Sequence, residues 1–453
     1  MSLSPDPSLL RLFQDAAPPD FFDQLSTRHT LPAGGIYHPA LVVWLMLWQR
    51  LQPKGTLSAA VQQVVRGEPA ELMRPHKRVR EKRVSNATGA YSRARNELPV
   101  EAATQVADRI FAHLMTSRKP LLTGLSGPVF LLDGSSLSTP HTPQLRDRFP
   151  PASNQHGESH WPTLRIVVAH DLASGLAVRP EWGPMFGPQA CSEQALTETL
   201  LKRLPAGSVV LADRNFGVFS VAWKARQKGL PVLVRLTEVR ARKIAGVNSE
   251  AVLAGGMDRS VEWRPSREDR RAHPELPADA VVRGRLITAT VERAGKQIPL
   301  YLFTTLEIPA AQVVELYGRR WNIETDLRSL KQTVRLHQLT SQSPEMIAKE
   351  ILLAFSAYNM VRGVQSAAAA KAGIEARQLS FSRVQDVVNA WLPLLATIQE
   401  PDRYDEEVQR MLSYAARCRL PKRRTRPAYP RAVWGRKQEF PKRKSGESSE
   451  AKK

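Results

Sequence analysis

The chain has 453 residues, with Lys+Arg 65 against Asp+Glu 43 for a formal net charge of +22, and it is 42% hydrophobic. That balance excludes a wholly disordered chain, which needs low hydrophobicity, and the length accommodates roughly two to four domains. The positive excess suits a polyanionic partner, either nucleic acid or an anionic membrane surface.

The membrane alternative weakens on inspection. The longest apolar run, Ala40–Trp48 (ALVVWLMLW), falls far short of the roughly 20 residues that span a bilayer and reads as a buried helix. The first residues (MSLSPDPSLLRLF) carry no basic start followed by an apolar stretch, so no signal peptide is expected. Cys191 and Cys418 are far apart and suggest neither a zinc site nor a disulfide framework, which points to a reducing cytoplasm.

Residues 1–120 read as a helical, DNA-binding domain. Val61–Val65 and Ala102–Leu114 carry apolar residues at helical spacing. Between them, Arg74–Arg95 holds eight Lys/Arg and one acid, Glu81. Ser85 or Asn86 is placed to cap a helix through Tyr91 and Arg95, ended by Pro99. That helix would bring Arg93 and Arg95 to a DNA groove. The alternative is a solvated basic face.

The pattern changes at Pro128. Short apolar runs at Val129–Leu132, Leu164–Ala169, Ser208–Ala212 and Pro231–Leu236 alternate with helical patterns at Glu193–Leu204 and Val218–Lys228. Strands alternating with helices predict an α/β core over residues 125–236. Residues 237–304 read as a β-rich insertion, with strands at Val261–Trp263, Val281–Val291 and Ile298–Phe303. Residues 305–400 return to helix, strongest from Ala310 to about Ala370. Residues 401–453 form a helical and basic tail in which Arg419–Lys444 holds eleven Lys/Arg and one acid, Glu439; disorder and a polyanionic partner are expected there.

Asp133 and Asp213 each follow an apolar strand, and carboxylates at the carboxyl ends of neighbouring strands can converge. Either one alone is as well explained as a turn former. The helix after Ala310 adds Tyr317, Arg320, Glu324 and Lys331. On a uniform helix these four share a stripe about 60° wide, while Asp326 and Arg328 lie on other faces and read as solvent charges. The alternative is an ordinary i,i+4 pair between Arg320 and Glu324. Three acids meeting beneath a phosphodiester would suit Mg²⁺, with Mn²⁺ a second option. Arg320 and Lys331 would hold phosphate oxygens. His156, His160, His170 and His337 are too scattered for a metal site, and Asp171 is the main competing acid.

With those residues in place, the sequence resembles the DDE insertion-sequence transposases that carry a Tyr-Arg-Glu-Lys signature. The signature Y-x2-R-x3-E-x6-K is met by Tyr317, Arg320, Glu324 and Lys331 (YGRRWNIETDLRSLK), the first-acid block by LLDGSSL and the second by VLADRNFG. ATGAYSRARNELP upstream is similar to the family's N-terminal region, so the likeness covers roughly Arg74 to Arg362. The acids lie 80 and 111 residues apart, the longer gap holding the β-rich insertion. The resemblance implies an RNase H-like core with Asp133, Asp213 and Glu324 as catalytic, metal-binding acids. It implies Mg²⁺-dependent cutting at transposon ends, attack of the 3′-hydroxyl on target DNA, and at least a homodimer to hold two ends. Some members cut the second strand through a hairpin, which needs an aromatic surface for an unstacked base; Trp321 matches that position and Trp263 is a weaker candidate. The competing functions are an inactive or repurposed DNA-binding derivative and a metal-dependent nuclease without strand transfer.

Overall fold

In the computed structural model, which describes residues 8–28, 35–117, 125, 127–155, 157–247, 256–293, 296–398 and 400–421, the apolar runs assemble into one eight-stranded sheet flanked by helices. In chain order the elements used below are α1 (Leu9–Ala16), α2 (Pro39–Leu51), α3 (Gly89–Glu97), α4 (Val100–Thr116), β1 (Val129–Ser138), β2 (Thr163–Asp171), β3 (Glu181–Pro184), α5 (Glu193–Leu201), β4 (Val209–Ala212), α6 (Phe219–Gln227), β5 (Val232–Arg235), β6 (Asp258–Trp263), β7 (Val282–Arg293), β8 (Lys296–Thr304), α7 (Ala310–Gly318), α8 (Asn322–Arg328), α9 (Pro344–Lys371), α10 (Phe381–Leu395) and α11 (Pro401–Ala416). The basic tail from residue 422 and His156 lie outside the described residues.

The sheet runs β3-β2-β1-β4-β5-β8-β7-β6. β1, β4 and β5 are mutually parallel, and β2 is antiparallel to β1. The four residues of β4 and Val232–Val234 of β5 are all buried, as central parallel strands require. The β-rich segment extends this same sheet: β8 pairs antiparallel with β5, and β7 and β6 follow outward. Trp263 at the end of β6 is buried at 3% exposure and packs edge-on to Phe219 and Phe303. It fills the core and offers no surface to a base.

Two expectations about local structure are corrected. Asp133 does not end its strand. The parallel pairing of β1 with β4 stops at Leu132 and Ala212, but β1 continues against β2 as far as Ser138. The antiparallel partner thus sustains the strand beyond the acid. Nor is the helix after Ala310 uniform. α7 tightens into a 3₁₀ turn at Arg319–Trp321, resumes as α8, and widens into a π-helical turn at Ser329–Thr333. A break over 334–343 then precedes α9.

α9 is the axis of the molecule. Twenty of its 28 residues are buried, so no polar stripe faces water as in a surface helix. It packs against α2 and α4 on one side and α10 and α11 on another. The buried run Ala40–Trp48 sits in α2, one of these partners. α9 therefore closes the core of the chain.

In the N-terminal region, α3 starts at Gly89, preceded by Thr88 at the cap position rather than by Ser85 or Asn86. Those side chains are otherwise engaged: the Ser85 hydroxyl accepts from the Ala87 amide, and the Asn86 carbonyl from Gln62. None of the helices is long and apolar enough to cross a membrane, among the described residues.

Candidate active site

Asp133 and Asp213 follow the last rung shared by β1 and β4, so register alone makes them neighbours. The Asp133 carboxylate accepts from the Gly134 amide at 2.8 Å, and the Asp213 carboxylate from the Asn215 amide at 2.8 Å. Burial pushes the Asp133 carboxyl up to about 6; the Gly134 bond and Arg320 pull it down, while Asp213 and Glu193 push it further up. The turn after Asp213 is held by its own residues. Phe216 is buried, and a β-carbon on Gly217 would overlap the Arg235 carbonyl.

The Tyr-Arg-Glu-Lys residues do not share one wet face. Tyr317 and Arg320 are both buried, at 7% and 9% exposure. Burial raises the Tyr317 phenol, with Arg320 and Arg235 opposing. The Arg320 Nε is buried with no acceptor, and its guanidinium lies 4.6 Å from the centre of the Trp321 ring. Glu324 is exposed and stands 3.9 Å from Arg320. Lys331, in the π-helical turn, donates to the Ser136 carbonyl of β1 at 3.2 Å; burial lowers its ammonium and the nearby Asp133 raises it. Arg320 and Lys331 thus flank the Asp133–Asp213 pair. Trp321 is 48% exposed beside them.

Among the described residues, no three His, Cys, Asp or Glu side chains are grouped so as to hold one metal ion. The aspartates are paired, while Glu324 is turned to Arg320. The donor set still fits a hard divalent cation: two carboxylates just past the last rung shared by adjacent parallel strands, one of them half-buried and driven toward protonation, form an oxygen-only cradle.

Sequence reasoning missed a fourth acid. Glu193 opens α5, where an acid reads as a complement to the helix dipole. In the fold its carboxylate accepts from the Asn215 side chain, and Asn215 in turn binds Asp213 through its amide. Burial raises the Glu193 carboxyl, and Asp213 adds to the rise. The carboxylate occupies the space over Gly134 where a β-carbon would lie. Gly134→Ala is therefore expected to displace the Glu193 carboxylate, the far end of a flexible side chain, and to cost about 1 kcal/mol, the scale of its hydrogen bond with Asn215. Combining it with Glu193→Ala should recover part of that loss; strictly additive costs in urea unfolding would contradict the contact.

Other candidates separate. Asp171 is buried and accepts from the Ser174 amide and hydroxyl at 2.7 and 2.6 Å, closing the turn after β2. His170 is fully buried and held neutral, lowered to about 4 by burial first of all. His160 stacks on His141 at the surface, and His337 binds the Lys331 carbonyl. Asp326, expected in solvent, is fully buried and paired with Arg362 at 2.6 Å and Arg377 at 2.9 Å. Arg93 is exposed, while Arg95 is half-buried and lines a cavity.

Residues 124–360 match the family model described as "Transposase DDE domain". The chain is 28% identical over 415 residues to "Transposase InsG for insertion sequence element IS4" of Escherichia coli (strain K12), covering 88% of this chain and 86% of that protein. It is 26% identical over 102 residues to "Putative transposase InsZ" of the same organism, covering 22% of this chain and 33% of that one.

Proposed function

Because the chain belongs to the transposase DDE domain family, we propose that it cuts DNA at transposon ends and joins the freed 3′-hydroxyls to target DNA, with Asp133, Asp213 and Glu324 as the catalytic acids of an RNase H-like core. The observation that carries this reading is the meeting of Asp133 and Asp213 just past the last parallel rung of β1 and β4, with Arg320 and Lys331 against them.

Asp133 and Asp213 would hold Mg²⁺ or Mn²⁺, joined by Glu324. When bound, the metal would supply Lewis-acid stabilisation of the attacking and leaving oxygens. The chain's own residues do the positioning. A phosphate beside Arg320 competes with Glu324 for the guanidinium, and the 3.9 Å pair is loose enough to exchange. Tyr317 is buried within reach of the Arg320 charge, which opposes the rise of its phenol. Lys331, tied to β1 through Ser136, sets a second positive charge across the aspartates. Trp321 offers an exposed indole for a base. The partners are double-stranded DNA, at transposon-end inverted repeats and at the target, and a second copy of the chain to hold the other end.

The test is incubation with DNA carrying the element's own ends plus Mg²⁺, mapping the nicks and the joined products. Cuts at the ends with strand transfer support the reading. Cutting without joining would favour a nuclease, and binding without cutting an inactive derivative.

Asp133 also sets a metal-linked stability. Its folded value of about 6 exceeds the roughly 3.9 of an unfolded Asp. The folded state therefore holds the proton more tightly, and stability falls as pH rises from about 4 through 6. In chelator, Asp133→Asn is expected to stabilise the protein at pH 7 by about 1–3 kcal/mol and to flatten this slope. Mg²⁺ should raise the melting temperature of wild type more than that of the variant. A variant melting below wild type in chelator would contradict the account.

A further inference from the structure

A cavity of about 1350 Å³ lies away from the acids, between the end of α2, α3, the 335–343 segment and the first turns of α9. Five cations line it: Arg50, Lys54, Arg95, Arg335 and Lys349. Two acids, Glu345 and Glu350, oppose them. Their partners divide this set unequally.

Glu350 is saturated. It pairs with Arg50 and accepts from the Thr340 and Ser341 amides at 3.2 and 3.1 Å. Lys349 spends its ammonium on the carbonyls of Arg95, Asn96 and Leu98 at the end of α3, at 2.8, 3.1 and 2.6 Å. Glu345, one turn before Lys349 on α9, is the acid that offsets it. Among the described residues, no carboxylate pairs with Lys54, Arg95 or Arg335.

Two of those three are built into the wall. The Nε atoms of Arg95 and Arg335 are buried with no acceptor. Arg335 adopts a left-handed backbone, φ 58°, which a non-glycine residue holds only when its surroundings enforce it. Its guanidinium is pinned by the carbonyls of Gln49 and Pro53 at 2.7 and 2.6 Å. Those contacts orient the group without neutralising it. Arg95 also stands close enough to Arg50 and Lys349 to disfavour their charged forms. Like charges are thus held together with donors to spare, which an anion would relieve.

Chain connectivity links the cavity wall to the acidic site. Arg335 comes four residues after Lys331, whose ammonium touches β1. Another part of the wall, Thr142, follows β1 and donates to the Gln342 carbonyl at 2.9 Å. Amide and hydroxyl side chains, among them Gln49, Ser92, Asn96 and Gln144, fill the remaining lining. Such groups suit sugar–phosphate contacts that carry no sequence code.

We propose that this cavity takes the sugar–phosphate backbone of the DNA strand running away from the carboxylates, with phosphates on Arg95, Lys54 and Arg335. The proposal rests on the DNA-cutting function given above. Its test uses the full-length protein and a fluorescent duplex bearing the element's end, with affinity measured over a salt series. Arg95→Gln and Lys54→Gln should each weaken binding and make the plot of log affinity against log salt shallower by about 1. Arg95→Lys should retain the wild-type slope, which separates lost charge from lost packing. If wild type binds and cuts while both Gln variants keep its slope, the cavity assignment is overturned and the function stands. If wild type binds no DNA in low salt, both fall.

Discussion

Asp133→Asn, Asp213→Asn and Glu324→Gln are each expected to lower Mg²⁺-dependent strand cleavage by more than about 10³-fold, the scale of losing one member of a catalytic unit. DNA binding should persist in all three. Asn and Gln preserve side-chain shape but cannot carry the negative charge that makes the site a cation cradle. For Asp133 and Asp213, the hydrogen bonds from Gly134 and Asn215 can be kept by the amide oxygen, so the turn should survive. For Glu324, the lost partner is Arg320, which is then freer to meet a phosphate. Binding could therefore tighten slightly in that variant while cutting stops. Gel-resolved cleavage and anisotropy on the same preparations decide the matter. Full cleavage by any one variant would remove that residue from the catalytic set.

Asp326→Ala should give the largest loss of stability, about 3–5 kcal/mol. This is a large fraction of the 5–15 kcal/mol that holds a typical domain together. Asp326 is fully buried, and burial alone would raise its carboxyl; Arg377 and Arg362 outweigh that and hold it below the usual range. Removing it strands two guanidinium groups in the core. Arg362 keeps hydrogen bonds to Tyr358 and Gln365 and the face of the Phe381 ring, and Arg377 keeps the carbonyls of Leu172 and Asp171. Replacing all three charges, as Asp326→Leu with Arg362→Met and Arg377→Met, should recover much of the loss. Urea unfolding of the single and triple variants tests this. A single variant as stable as wild type would show that the network adds nothing.

Much of the site was legible because its signals are local. An apolar run followed by an acid, repeated at Leu132–Asp133 and Ala212–Asp213, needs no long-range information, although at Asp133 the strand itself runs on to Ser138. The spacing of Tyr317, Arg320, Glu324 and Lys331 is likewise local. What failed was the inference of direction. Asp326 does lie on another face from Glu324, but Glu324 faces water, so the opposite face is the interior. A helical wheel fixes angles between residues and not which side the fold covers. The 3₁₀ and π turns around Arg320 and Lys331 further break the uniform rotation that the wheel assumes. Glu193 and the cavity were invisible for a different reason: both arise where segments distant in sequence meet. The attachment of β6–β8 to the main sheet was hidden in the same way, since alternation marks strands but not their neighbours.

The placement of α9 ties the two ends of the chain together. The stretch shared with the family finishes at residue 360, partway along this 28-residue rod. The rod is wrapped by α1, α2 and α4, which precede the sheet, and by α10 and α11, which follow it. A fragment cut to the shared boundaries would leave that rod half undressed, with leucine and alanine faces open to self-association. Changes in the helices before the sheet and in those after α9 must then be matched against the same apolar spine, so the two flanks are free to diverge only in step.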